Sequence, residues 1–147
     1  KNLLKFQKQK DVNICIGRIF SYTNYNQKKS FVIPSLFHKI KRNYKLSIEK
    51  LRAERDFVHI DDICNAIYLL LIKQKKGIFN ISSQKKLKIY EIANLISKQV
   101  KNKKIFSTVK SYGNKDILYG DNKRLKNLGW APKKNINIII RDFAKKN

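Results

Sequence analysis

The sequence predicts an α/β fold. Two observations carry this: short runs rich in Ile, Val and Phe, and longer stretches whose apolar residues recur at helical spacing. The two kinds of segment also alternate along the chain, the order expected of strands linked by helical crossovers. At 147 residues the chain has room for one domain with one core.

"KNLLKFQKQK" spaces Leu3, Leu4 and Phe6 among lysines, as in the last turns of an amphipathic helix. "VNICIGRIF" alternates Val12, Ile14 and Ile16, with Cys15 and Ile19 also apolar, and reads as a largely buried strand. "SYTNYNQKKS" reads as a polar loop. Ser30 is placed to cap a helix carrying Phe31, Ile33, Leu36, Phe37 and Ile40, with Pro34 in its first turn. "KLSI" and "RDFVHI" read as short strands. Asp61 or Asp62 then caps a helix bearing Ile63, Ile67, Leu70 and Leu71. "GIFNIS" is a further strand, followed by a helix from about Ile89 to Val100 that buries Ile92, Leu95 and Ile96. "KIFSTV" reads as a strand. Asp121 caps a short helix ending at "LGW", with Pro132 just beyond, and a last helix carries Ile136, Ile139, Ile140 and Phe143. There is no internal repeat, linker or low-complexity tract. The order opens with a helix feeding a buried strand, where a parallel sheet normally has earlier strands, so the sequence begins like the middle of a fold.

The formal net charge is +24, from 34 basic and 10 acidic residues. Such a balance fits a polyanion partner, nucleic acid or an acidic membrane surface. Its make-up points elsewhere. Only six of the basic residues are arginine, the side chain whose planar fork grips phosphate, and Lys, Asn and Ile are what A/T-rich codons encode. The lysines are spread over every element, with no single basic stripe or aromatic platform to track a strand. A basic nucleic-acid-binding module is therefore the alternative reading, and no specific nucleic acid is expected. The longest apolar runs, "AIYLLLI" and "INIII", fall far short of a membrane span, so no membrane partner is expected either. Cys15 and Cys64 each lie in an apolar run and read as small buried hydrophobes of a reducing, cytoplasmic compartment. With His38 and His59 they give no metal-ligand spacing.

Arg55 stands immediately before a strand, so a rigid element carries it. It could clamp a phosphate through parallel charge-assisted hydrogen bonds, or form a salt bridge with Glu54, Asp56 or Asp62. Asp61 and Asp62 read as a helix cap rather than a catalytic dyad, and His59 as a packed histidine. The Tyr-x-x-x-Lys spacing occurs at Tyr25–Lys29 and Tyr119–Lys123. A proton-transferring pair needs both residues on one helix face, and Tyr25 falls in a loop while Asp121 separates Tyr119 from its helix. The five scattered glycines form neither G-x-G-x-x-G nor a G-x-x-x-x-G-K loop.

Four stretches together resemble one family. "RIFSYTNYNQ" is similar to the R-x-F-N-x-Y-G-P-x-Q segment of extended short-chain dehydrogenases/reductases, the nucleotide-sugar epimerases, dehydratases and reductases. "RDFVHIDDICNAI" resembles their R-D-F-V-x-V-D-D segment, "GIFNISSQKKLKIYEIANLI" their G-x-x-N-I-G-S-G…E-L-A-x-x-I, and "DNKRLKNLGWAPK" their D-x-S-K-L-x-x-L-G-W-x-P. The resemblance covers nearly the whole chain, in the family's order.

The resemblance implies the C-terminal part of a Rossmann-type doubly wound sheet plus the small substrate-binding α/β subdomain. Residues 1–30 would end the Rossmann part and 31–147 would mainly bind substrate. The glycine-rich NAD or NADP loop and the Tyr-x-x-x-Lys couple would precede Lys1. It further implies that Phe20 lies beside the nicotinamide and that Ser21, where the family has asparagine, contacts substrate. Phe31 and Val32 would line the sugar-diphosphate site, Ile48 the strand beneath the base, and Arg55 would bind the diphosphate. Lys115 and Asp116 fall near a further nucleotide-contacting stretch. No catalytic residue or metal ligand is implied in this sequence. The complete chain would be an NAD(P)-dependent enzyme, a homodimer in many members, while this part alone would be inactive, or a truncated remnant. Serine and glutamine replace family glycines at Ser82 and Gln84, and "TNY" replaces Y-G-P, which removes backbone freedom at those points.

Overall fold

The computed structural model describes residues 3, 5, 12–44, 46, 51–101 and 116–145. Leu3 and Lys5 are helical as read, and the rest of the helix read before residue 12, the "KIFSTV" strand, and Ile48 and Lys115 lie outside these. Seven short strands and five helices follow in the order β1 (Cys15–Ile19), β2 (Ser21–Thr23), α1 (Val32–Lys41), β3 (Glu54–Arg55), β4 (Phe57–His59), α2 (Ile60–Ile72), β5 (Gly77–Ile81), β6 (Leu87–Lys88), α3 (Ile89–Gln99), β7 (Ile117–Leu118), α4 (Lys123–Lys126) and α5 (Ile136–Ala144). The fold is mixed α/β with parallel pairing, as the alternation predicts.

The strand predicted at 12–20 is β1, and a second short strand, β2, takes the first three residues of the stretch read as loop, the rest of which is turn. β1 pairs in parallel with β5, Cys15 opposite Gly77 and Ile19 opposite Ile81, and β2 pairs in parallel with β4, Ser21 opposite Phe57. Phe20 is the changeover, its amide reaching the Ile81 carbonyl at 3.2 Å while the next amide, of Ser21, reaches Asp56 at 3.0 Å. β3 lies between β6, antiparallel, and β7, parallel.

β4 divides two apolar clusters by the period-two alternation of a strand. Phe57 faces α1, α3 and α5 with Ile33, Phe37, Ile92, Ile96, Ile139 and Phe143. Its neighbour Val58 faces the other way, among Ile63, Leu70, Phe79, Ile81, Leu125 and Trp130. The helical periodicity holds for α3 and α5, while on α2 Ile63 and Leu70 are buried but Ile67 and Leu71, read with them, are exposed. Ile89, Ile92, Ala93 and Ile96 are the buried face of α3, with Leu95 only partly covered at its margin, and Ile139, Ile140 and Phe143 are the buried face of α5. Asn135 caps α5, its side chain accepting from the Ile138 amide at 3.1 Å.

Several local expectations are corrected. Phe31, not Ser30, holds the N-cap position of α1, and no side chain caps it. A turn from Lys28, closed by the Phe31 amide on the Lys28 carbonyl, brings the chain in with Phe31 extended. α2 is capped by the imidazole of His59, which accepts from the Asp61 amide at 3.1 Å. Asp62 is buried and serves another purpose: its carboxylate accepts the Lys133 and Lys134 amides at 3.1 and 2.9 Å, and its carbonyl the Trp130 indole. Strand β1 is largely exposed rather than buried, since among the described residues it pairs only with β5. Cys15 opens that strand and Cys64 sits off the buried Asp62–Ile63–Ala66–Leu70 face of α2, so both cysteines are exposed. Among the described residues no helix is long and apolar enough to cross a membrane.

Candidate functional site: a cationic pocket on β3

Arg55 ends β3, flanked by β6 and β7, and this three-stranded sheet fixes its backbone. Its guanidinium donates through Nη1 to the carbonyls of Glu54 and Asp116, at 2.9 and 2.8 Å, and through Nη2 to the Asp116 carboxylate. The salt bridge expected with Glu54, Asp56 or Asp62 is thus made with Asp116 instead. The parallel register brings it there, setting Glu54 opposite Ile117 and donating the Glu54 amide to the Asp116 carbonyl at 2.9 Å.

Arg55 and Asp116 border a cavity of about 450 Å³. Val32, Leu36, Leu51, Ala53 and Ile89 supply its apolar wall. Ser30 comes to it from the turn before α1, Ser35 from the first turns of α1 and Lys39 from its last, Ser35 and Lys39 lying four residues apart on the same face. Lys39 is half-buried, and its ammonium makes no hydrogen bond or ion pair among the described residues. Sequence reasoning missed it, because one lysine in a lysine-rich helix carries no mark; only the pairing of α1 with β3 singles it out. A pocket with an apolar wall, two hydroxyls and two cations suits a ligand that joins a flat, weakly polar group to phosphates.

The neighbouring Asp56 fixes the geometry. It is fully buried, and its carboxylate accepts the Ser83 amide and hydroxyl at 2.6 and 2.7 Å, the Gln84 amide at 3.1 Å and the Gly120 amide at 3.4 Å. Its own amide donates to Leu118, and its carbonyl accepts from Ser21. One residue, through its side chain and its backbone, therefore ties β2, the turn after β5 and the end of β7 to the base of Arg55. Asn80 and Gln84 reinforce this by holding Asp121.

The remaining sequence-derived residues are dispersed. Val32, Arg55 and Asp116 meet at the cavity, while Phe31, half exposed, sits at the N-cap just before it. Ser21 lies in β2, hydrogen-bonded to Asp56. Phe20 is turned toward Gly120: a Cβ there would lie 2.5 Å from the Phe20 ring and 2.6 Å from Ser82 Cβ. Neither Tyr-x-x-x-Lys pair is helical, Tyr25 lying in a turn and Tyr119 ahead of α4. Among the described residues no group of His, Cys, Asp and Glu could hold a metal ion.

A second, smaller cavity of about 270 Å³ lies between Thr23, His59, Asp61, Lys134 and Asp142. The Lys134 ammonium hydrogen-bonds the Asp61 carboxylate, which holds the Asp61 carboxyl below its ordinary range and the Lys134 ammonium above its own. Those polar groups satisfy one another, and they fasten the loop before α5 to the start of α2.

The molecule is thus an α/β fold built on parallel strands, with a cationic pocket beside the central strand of its three-stranded sheet. This chain belongs to the GDP-mannose 4,6 dehydratase family, whose model matches residues 2–143. Among curated proteins none matches the sequence. The fold is similar to that of RMD from Pseudomonas aeruginosa, solved with NADPH, at TM-score 0.85 and 22% identity over 97% of this chain and 51% of that one. It is similar to dTDP-glucose 4,6-dehydratase from Bacillus anthracis, solved with NAD (TM-score 0.80, 20% identity, 97% and 48% covered). UDP-glucose 4-epimerase from Thermotoga maritima, solved with UDP-glucose, is a third such structure (TM-score 0.75, 18% identity, 98% and 50% covered). The chain spans about half the length of the solved structures it matches.

A nicotinamide dinucleotide needs a cradle of backbone amides for its pyrophosphate. The sequence has no glycine-rich loop to supply one.

Proposed function

We propose that this chain is the substrate-binding half of an NAD(P)-dependent nucleotide-sugar epimerase, dehydratase or reductase, and that it is inactive by itself. The single observation that carries the reading is the cavity where Arg55 and Lys39 face an apolar wall. Arg55 and Lys39 take the diphosphate, Val32, Leu36, Leu51 and Ile89 take the base, and Ser30 and Ser35 supply hydrogen bonds at the rim. The family membership and the nucleotide-sugar enzymes among the similar folds support the substrate class. The dinucleotide and the Tyr–Lys couple belong to the other half of a longer, cytoplasmic chain that pairs as a homodimer.

Two experiments test this. Calorimetric titration with UDP and GDP gives saturable binding, weakened at least tenfold in Arg55→Ala, the cost of about 1.5–3 kcal/mol for a lost charge-assisted contact. Unchanged affinity in the variant contradicts the reading. The intact mass of the native protein reports the longer chain: a species near twice 17.4 kDa supports it, and a lone 17.4 kDa product opposes it.

A further inference from the structure

We infer that the Asp116 carboxylate is an internal place-holder for the ligand's phosphate, displaced from Arg55 when a diphosphate enters and bridges Arg55 and Lys39. The inference rests on the reading of this cavity as a diphosphate site. Three observations carry it. The two partners of the ion pair differ sharply in exposure, with the Arg55 side chain 20% accessible and that of Asp116 73%. The guanidinium is thus the fixed member and the carboxylate the one free to swing into solvent. Asp116 is also held without its carboxylate: its carbonyl accepts from both the Glu54 amide and Arg55 Nη1, so the side chain can rotate away while β7 stays paired. Finally, Lys39 lines the same cavity as a half-buried cation with no partner among the described residues, a charge that Asp116 leaves unneutralised.

The exchange has a direction. A single carboxylate on a solvent-facing ion pair is a weak partner. A diphosphate presents more oxygens and more charge, and can engage both cations at once. A ligand without phosphate lacks that advantage, so Asp116 keeps Arg55 occupied against uncharged ligands, and engaging Lys39 as well as Arg55 favours a diphosphate over a monophosphate.

The test is calorimetric titration of the full chain with UDP, GDP and UMP. Asp116→Ala, which keeps both contacts of the backbone carbonyl, raises the affinity for UDP or GDP about fivefold, the free energy of one surface ion pair. It raises the affinity for UMP by no more than the same factor, because the ion pair each ligand must displace is the same. Asp116→Glu, which retains a carboxylate, gains nothing. Lys39→Gln lowers diphosphate affinity about fivefold and leaves UMP affinity unchanged. Binding that depends on Arg55 but is equal or weaker in Asp116→Ala overturns the place-holder alone, for Asp116 then orients Arg55. Binding that ignores Arg55 in every variant overturns this inference together with the reading of the cavity.

Discussion

Asp56 and Ser83 are joined twice, the buried carboxylate accepting both the Ser83 amide at 2.6 Å and its hydroxyl at 2.7 Å. The bond pins the turn after β5 to the residue that follows Arg55, so the stability of the fold and the placement of the cationic site share one side chain. Asp56→Ala leaves the half-buried Ser83 and Gln84 amides and the buried Gly120 amide without their acceptor. Each such orphan costs about 1–3 kcal/mol, so the variant loses at least about 3 kcal/mol. Urea midpoints measure this, and a loss below about 1 kcal/mol would contradict it.

Gly120 is the second fixed point. Its Cβ would meet the Phe20 ring at 2.5 Å and Ser82 Cβ at 2.6 Å, so Gly120→Ala overpacks the site by about 1–3 kcal/mol. Because two neighbours object, Phe20→Ala in the same chain recovers part of the loss and leaves the Ser82 contact. Thermal unfolding of the two single variants and the double variant gives the coupling.

The division of the core by β4 predicts where apolar deletions are felt. Ile92→Ala and Ile96→Ala empty the same cluster beside Phe57 and are non-additive, each costing about 2–5 kcal/mol. Either combined with Leu125→Ala, in the cluster beyond Val58, adds to within about 0.5 kcal/mol. Denaturant titration of the pairs distinguishes the two cases.

The Asp61–Lys134 pair gives stability a pH window. The hydrogen bond from Lys134 depresses the Asp61 carboxyl, so its contribution is present above the ordinary carboxylate value, about 3.9, and lost as pH falls through the lower folded value. The same bond raises Lys134, whose contribution is present below about 10.4 and lost as pH rises through the higher folded value. Asp61→Asn is therefore less stable than the parent at neutral pH and converges with it in strong acid. A difference that stays constant from neutral pH to strong acid would refute the pair's role.

Much of this architecture could be read from residue spacing alone. The helical faces of α3 and α5 follow from Ile89, Ile92 and Ile96 and from Ile139, Ile140 and Phe143, because a 3.6-residue period needs no tertiary information. Arg55 was found through its motif and its place ahead of an apolar strand. What escaped depends on partners far along the chain. Asp62 has the chemistry of an N-cap, yet the amides of Lys133 and Lys134 claim it, which leaves the cap to His59. Asp116 lies 61 residues from Arg55 and meets it only through the β3–β7 register. Alternation in "VNICIGRIF" identifies a strand, but burial depends on what covers it, and β1 has one paired edge among the described residues.

The proposed function requires a nucleoside diphosphate to sit in the cavity beside Arg55. The most direct measurement is amide chemical-shift mapping of the labelled chain during titration with UDP or GDP. The account predicts that the perturbed amides cluster at Ser35, Leu36, Ala53, Arg55, Ile89 and Asp116, and that Arg55→Ala abolishes the pattern. Perturbations spread thinly over surface lysines, or gathered at the cavity between His59 and Asp142, would contradict it.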